Sequence, residues 1–135
     1  MPSIIKVVAA IIYNEENRFL MALKKARKNL AGYWEFPGGK IEEGEAGIVA
    51  IEREIKEELN LTLKDIQYFF EYQYQEKGQT IDITFFRAQI DRGNMVLTDH
   101  DEIVWMNGIE TNNYNIAPGD LEAIKRIISE KKHGV

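Results

Sequence analysis

Between Lys6 and Tyr13 the chain is a continuous apolar run rich in Val and Ile, which predicts a strand buried on both faces. Asn14–Asn17 reads as a turn, and Phe19–Leu23 as the returning strand. Lys24–Gly32 reads as a basic, polar loop. Trp34-Glu35-Phe36 leads into a predicted turn at Pro37-Gly38-Gly39. Gln67–Gln75 alternates, with Tyr68, Phe70, Tyr72 and Tyr74 on one face. Thr80–Ile90 is its predicted hairpin partner, joined through Glu76–Gln79, and Ile103–Met106 is a short strand. Asn107–Pro118 reads mostly as loop. Asp120–Glu130 carries Leu121, Ile124, Ile127 and Ile128 at helical spacing, which predicts a core-packed helix.

A second helix is expected over about Ala46–Leu59. Ile48, Ile51, Ile55 and Leu59 form its predicted core stripe, and Glu52 and Lys56 point to water. Glu54, Glu57 and Glu58 share a third face, as i, i+3 and i+4 positions do. Three carboxylates so placed repel one another unless something positive sits between them. Hard oxygen donors suit Mg²⁺ or Mn²⁺, which commonly bridge protein carboxylates and substrate phosphates. Toward the N-terminus the acidic stripe continues through Ala50 and Gly47, small enough to leave room for a ligand. Ala46 is a poor helix cap, for which Glu43 and Glu45 partly compensate through the helix dipole. Asn60 is expected to end the helix in a left-handed conformation.

Strands before, between and after two helices imply an α/β chain with a mixed central sheet and helices on both sides. At 135 residues the chain is read as one domain, 1–135. Its composition is that of a soluble globular protein, 44% hydrophobic and 29% charged. It has no cysteine, so disulfides and thiol chemistry are excluded. The apolar stretch Val7–Tyr13 is too short to span a bilayer and lacks a signal-peptide layout, which makes the cytoplasm the expected location and excludes a membrane partner. A net charge of −5 argues against a broad nucleic-acid surface. It does not argue against a nucleotide, because a bound metal ion reverses the local sign.

The segment from Gly39 to Leu61 resembles the signature of the Nudix hydrolases, G-x5-E-x7-R-E-U-x-E-E-x-G-U, where U is a bulky aliphatic. Gly39, Glu45, Arg53, Glu54, Ile55, Glu57, Glu58 and Leu61 fit it. The six fixed matches would coincide at a given start with odds of roughly one in 10⁶ to 10⁷ at average residue frequencies. The second signature glycine is Asn60 here. The resemblance implies the Nudix fold, an α/β/α sandwich. The run Trp34–Glu45 is similar to the MutT branch, which hydrolyses nucleoside triphosphates to the monophosphate and pyrophosphate.

The resemblance also implies roles for residues. Glu54, Glu57 and Glu58 hold the metal, with a main-chain carbonyl at Gly38. Arg53 orients Glu54 or pairs with Glu45. One carboxylate, Glu54 or Glu57, helps activate a metal-bound water that attacks the β-phosphorus. Lys40 is a candidate phosphate contact or a solvated loop lysine. Leu97-Thr98-Asp99-His100 followed by Trp105 resembles the branch's Leu-x-Glu-His and Trp segment. This makes Asp99 a catalytic or metal-assisting carboxylate, with Asp101 and Glu102 near enough to substitute. His100 alone reads as an ordinary loop histidine, and His133 as inert. Ala117-Pro118-Gly119-Asp120 resembles an Ala-Pro-Ala-Asp segment at which a polar side chain reads the nucleobase edge; Asp120 can also cap the terminal helix. Phe36 and Tyr33 are aromatic candidates for a base contact or for the core.

The implied activity is Mg²⁺-dependent hydrolysis of nucleoside triphosphates of the 8-oxo-dGTP or CTP type, with Mn²⁺ able to substitute, in nucleotide-pool sanitation. The markers of ADP-ribose and diadenosine polyphosphate hydrolases are missing near Glu76–Gly78, and the catalytic cysteine of isopentenyl diphosphate isomerases has no counterpart. Two alternatives stand beside it: a nucleotide-sensing Nudix module without catalysis, and a hydrolase of another nucleoside diphosphate derivative. Monomer and homodimer both remain open.

Overall fold

The computed structural model describes residues 3–25 and 32–132. Its spine is β1 (Ile4–Tyr13), apolar from Val8 to Ile12 and closed to water on both faces. β2 (Phe19–Lys24) returns beside it, but the two strands pair only at Tyr13↔Phe19 and then diverge. Into that gap come β3 (Trp34–Glu35), which pairs with β2, and β4 (Gly38–Lys40), which pairs with β1. Pro37 between them accepts the Ala10 N–H at 2.8 Å. The expected turn at Pro37–Gly39 is therefore partly strand. Its partner lies some thirty residues back, so local sequence does not announce it.

Helix α1 (Gly47–Leu59) follows, then a long hairpin of β5 (Thr62–Glu76) and β6 (Gln79–Arg92), and last β7 (His100–Met106) and α2 (Leu121–Lys132). The hairpin turns on Lys77-Gly78, both at positive φ, the conformation that joins twisted strands in two residues. β6 runs parallel to β1, and the other pairings between these strands are antiparallel, so the sheet is mixed, in the order β3-β2-β1-β6-β5 with β7 on β2.

Each face of the sheet carries one helix, which gives the α/β/α layering expected. Ile51, Ile55 and Leu59 of α1 are fully buried against Val8, Ala10, Ile12, Leu20 and Phe86. Each contributes roughly 1.5–3 kcal/mol relative to exposure. On the opposite face Ala123, Ile124 and Ile127 of α2 cover Ile11, Phe19, Met21 and Phe85. Asn60 ends α1 at φ 60°, ψ 34°, and its Nδ2 donates to Asn94 O at 3.0 Å.

Four expectations about packing fail. Ile48 is 44% exposed. At that end of α1 the inward place belongs to Gly47, where an added Cβ would sit 3.2 Å from Phe86. Ala50 is also fully buried, so these small residues bring helix and sheet together instead of leaving room for a ligand. Leu121, at the first position of α2, is exposed. Tyr68 does not share a face with Phe70. The register shifts between them, so Tyr68 meets Phe86 on the α1 side while Phe70 stacks on Phe85 on the other. A single bulged residue inverts the alternation beyond it.

Candidate active site

Arg53 organises the acidic face of α1. Its Nε and one terminal nitrogen grip the two oxygens of Glu45 at 2.8 and 2.9 Å. The same terminal nitrogen reaches Lys40 O at 3.0 Å, while the other donates to Glu54 Oε1 at 2.9 Å and Glu57 Oε1 at 3.2 Å. Both expected contacts of Arg53, with Glu45 and with Glu54, are therefore present. The positive group among the carboxylates comes from the helix itself. The guanidinium hydrogen bond, reinforced by the Glu42 N–H, holds Glu45 at about 2, well below the usual carboxylate range. Glu45 is thus committed to Arg53 and to the chain at Glu42, with no residue of the first helical turn to serve as an acidic cap.

Gly38 and Gly39 approach from β4. A Cβ on Gly38 would stand 2.0 Å from Val8 O, so the strand pairing itself requires glycine there. A Cβ on Gly39 would stand 2.4 Å from the Glu54 carboxylate. Glycine at 39 lets the main chain pass directly over that side chain.

Glu58 points the other way, into a polar pocket of about 100 Å³ lined by Lys24, Glu35, Gly38, Glu58, Asp99 and His100. It is 5% exposed. Burial, then the hydrogen bond and charge of Glu54, then the charges of Glu35 and Asp99 push its carboxyl up to about 10. His100 is not a loop residue: it begins β7, is 3% exposed, and places Nε2 2.8 Å from Glu35 Oε2. Its Nδ1 is buried without a hydrogen-bond partner, 3.9 Å from Glu58 Oε1. Lys24 Nζ lies 3.6 Å from the other oxygen of Glu35. Asp99 enters this pocket, whereas Asp101 and Glu102 are exposed on β7.

Lys24, Glu35 and Gly38 are also one wall of a larger cleft of about 410 Å³. Lys40 borders it, exposed, and the hairpin tip closes one side with Glu76, Lys77 and Gln79. Asp120 lies in its lining, 5% exposed. Its Oδ2 accepts the Phe36 N–H at 3.0 Å, across 84 positions of sequence, so the carboxylate ties α2's approach to the β3–β4 connection. Burial, then the charge of Glu35, raises the Asp120 carboxyl well above its ordinary range. Gly119 stands where the resembled segment has alanine, and a Cβ there would meet the Tyr74 hydroxyl at 2.6 Å. A hollow of about 590 Å³ on another side, around Arg87 and Glu130, holds none of the signature residues.

Phe36 packs in the core at the edge of the cleft. It borders the cleft, yet it is 3% exposed and its ring packs at 5.5 Å from Phe19 and 6.1 Å from Phe85. Of the cleft it controls the Asp120 tether, through its backbone. The sequence reading missed Glu35 and the burial of His100. The pair is 65 residues apart, and two pairings on β2 bring it together, Ala22↔Glu35 with β3 and Lys24↔His100 with β7.

Among the described residues no three acidic or histidine side chains already converge as ready ligands; Arg53 holds Glu54 and Glu57 to itself. The donor set nevertheless fits a divalent cation. Glu58 is buried among Glu54, Glu35 and Asp99, a concentration of like charge that only a proton or a cation relieves, and an imidazole nitrogen beside it lacks a partner.

The NUDIX domain family model matches residues 4–127. The CTP pyrophosphohydrolase of Escherichia coli (strain K12) is 31% identical over 125 residues, 93% of this chain and 92% of that protein. The 8-oxo-dGTP diphosphatase of the same organism is 27% identical, over 91% of this chain and 95% of its own length. The crystal structure of the MutT protein from Methanosarcina mazei Go1 superposes with a TM-score of 0.86 at 22% identity, covering 97% of each chain, and shows the same fold.

Proposed function

This chain belongs to the NUDIX family, and from that premise we propose that it hydrolyses nucleoside triphosphates to the monophosphate and pyrophosphate, in the sanitation of nucleotide pools. It is a hydrolase of phosphoric anhydrides, and we infer Mg²⁺ as its ion, with Mn²⁺ able to substitute. The observation that carries the reading is the wall shared by the two cavities. The cleft that holds Asp120 and the pocket that holds Glu58 share Lys24, Glu35 and Gly38, so a molecule in the cleft borders the carboxylate pocket.

In this reading Glu54, Glu57 and Glu58, with the Gly38 carbonyl, hold the ion. A bound divalent ion neutralises phosphate charge and makes water more acidic. Arg53 keeps Glu54 and Glu57 in register with the Glu45 side of the β4 connection. Lys40 lies at the cleft mouth, where a phosphate would pass. Asp99 adds a carboxylate from β7. Asp120, a buried carboxyl in the cleft lining, can meet a base edge as an acceptor when ionised and also as a donor when protonated, which by itself selects no one base. CTP and 8-oxo-dGTP, the substrates in the names of the two relatives, are the leading candidates. The cysteine-free composition accords with a cytoplasmic enzyme, and no described helix is long and apolar enough to cross a membrane.

The test is pyrophosphate release from a panel of natural and oxidised nucleoside triphosphates in ¹⁸O-labelled water. The expected products are monophosphate and labelled pyrophosphate, abolished by excess EDTA. Inorganic phosphate as first product refutes the mechanism. Nucleotide binding with no turnover by any triphosphate points instead to a sensing module.

A further inference from the structure

We propose that Nδ1 of His100 is itself a metal ligand in the Glu58 pocket, giving a mixed nitrogen–oxygen site that takes Mn²⁺ or a later divalent transition metal ahead of Mg²⁺. The inference rests on the divalent-metal reading above and extends it to a donor that the carboxylate signature does not contain.

The ring's geometry leads to this assignment. An ionised carboxylate can only accept, so the 2.8 Å contact with Glu35 places the proton on Nε2. Nδ1 then carries a lone pair. It is buried, faces Glu58, and has no hydrogen-bond partner. At 3.9 Å, Glu58 Oε1 is too far to supply a hydrogen bond, whichever group holds the proton. Two donors bound to one ion at about 2.1 Å each stand about 3.0 Å apart when adjacent and about 4.2 Å when opposite. The observed separation falls in that interval. Glu35 on the far nitrogen completes a carboxylate–histidine–metal arrangement, which fixes the tautomer and makes the ligating nitrogen more basic. Lys24, 3.6 Å from the second oxygen of Glu35, holds that carboxylate in place. Imidazole favours transition metals over Mg²⁺, whose preferred partners are oxygens.

The chain has two histidines, His100 and His133. The His133→Gln protein keeps His100 as its single imidazole, so any histidine nitrogen at a bound metal is His100. Electron spin-echo spectra of this protein with one equivalent of Mn²⁺ should show ¹⁴N modulation, converted to the ¹⁵N pattern by selective histidine labelling. Titration should give a Kd for Mn²⁺ at least about tenfold below that for Mg²⁺. Glu35→Gln, which weakens the support on Nε2, should cost roughly 10–100-fold in Mn²⁺ affinity. A buried ring with only a structural role would leave no nitrogen coupling. Bound Mn²⁺ without histidine modulation overturns the ligand assignment and leaves the hydrolase reading intact. Failure to bind any divalent ion overturns both.

Discussion

Two neighbouring glycines should fail in different ways when given a methyl group. At Gly39 the added Cβ would lie 2.4 Å from the Glu54 carboxyl carbon, against an ordinary contact of at least 3.4 Å. The carboxylate must retreat by about 1 Å, and it is the free end of a flexible side chain. Folding should therefore be nearly untouched, within about 1 kcal/mol. Chemistry should not be, because a misplacement of about 1 Å at a reacting centre costs on the order of a hundredfold, or about 2.7 kcal/mol in the barrier. At Gly38 the obstacle is Val8 O at 2.0 Å, which belongs to the backbone of β1 and cannot swing aside. Gly38→Ala should break the β4–β1 pairing and lower the melting temperature sharply. Melting curves and kcat for the two variants separate the cases. Wild-type turnover by Gly39→Ala would show that the position of Glu54 does not matter to the reaction. Equal loss of stability in both would show that Gly39 serves the fold alone.

The Arg53–Glu45 contact should give a pH signature. Glu45 is held at about 2 against an ordinary value of 4.5, so its contribution to stability is present above pH 4.5 and lost as pH falls through about 2. The gap in urea midpoint between wild type and Arg53→Met should be constant above pH 5 and narrow toward pH 2; a pH-independent gap would contradict the pairing. Asp120→Ala leaves the Phe36 N–H without its acceptor, and should cost about 1–3 kcal/mol in stability while reducing the spread of kcat/KM among the four bases. An unchanged spread would confine Asp120 to tethering. Asn60→Ala forces a left-handed residue without the Asn94 bond, and should cost about 1–2 kcal/mol by denaturant titration; a neutral result would mean the helix end can relax.

Where sequence spacing is short, it was informative. The carboxylates of α1, the Arg53 contacts and the left-handed Asn60 all follow from positions within one helix and its flanks. What stayed hidden depends on partners distant in sequence. β4 exists because β1 and β2 diverge, and Glu35 meets His100 only through the pairings of β3 and β7 on β2. The exposure of Ile48 reflects which residue of the first turn the sheet touches, a matter of helix placement that periodicity does not contain. The bulge between Tyr68 and Phe70 likewise leaves no mark in the alternation, because aromatic residues occupy both sides of it. Phe36 shows the reverse difficulty: its side chain serves the core while its backbone serves the site.

The long β5–β6 hairpin has a bearing on how this scaffold can be changed. Its tip, Glu76 to Gln79, closes one side of the cleft, while the pocket around Glu58 is built from β2, β3, β4, α1 and β7. One wall of the cleft thus belongs to an exposed two-residue turn that tolerates replacement, and the pocket beside it belongs to buried strands and a helix that do not. Altered length or residues at the turn can reshape that wall without rebuilding the part of the molecule that holds the carboxylates.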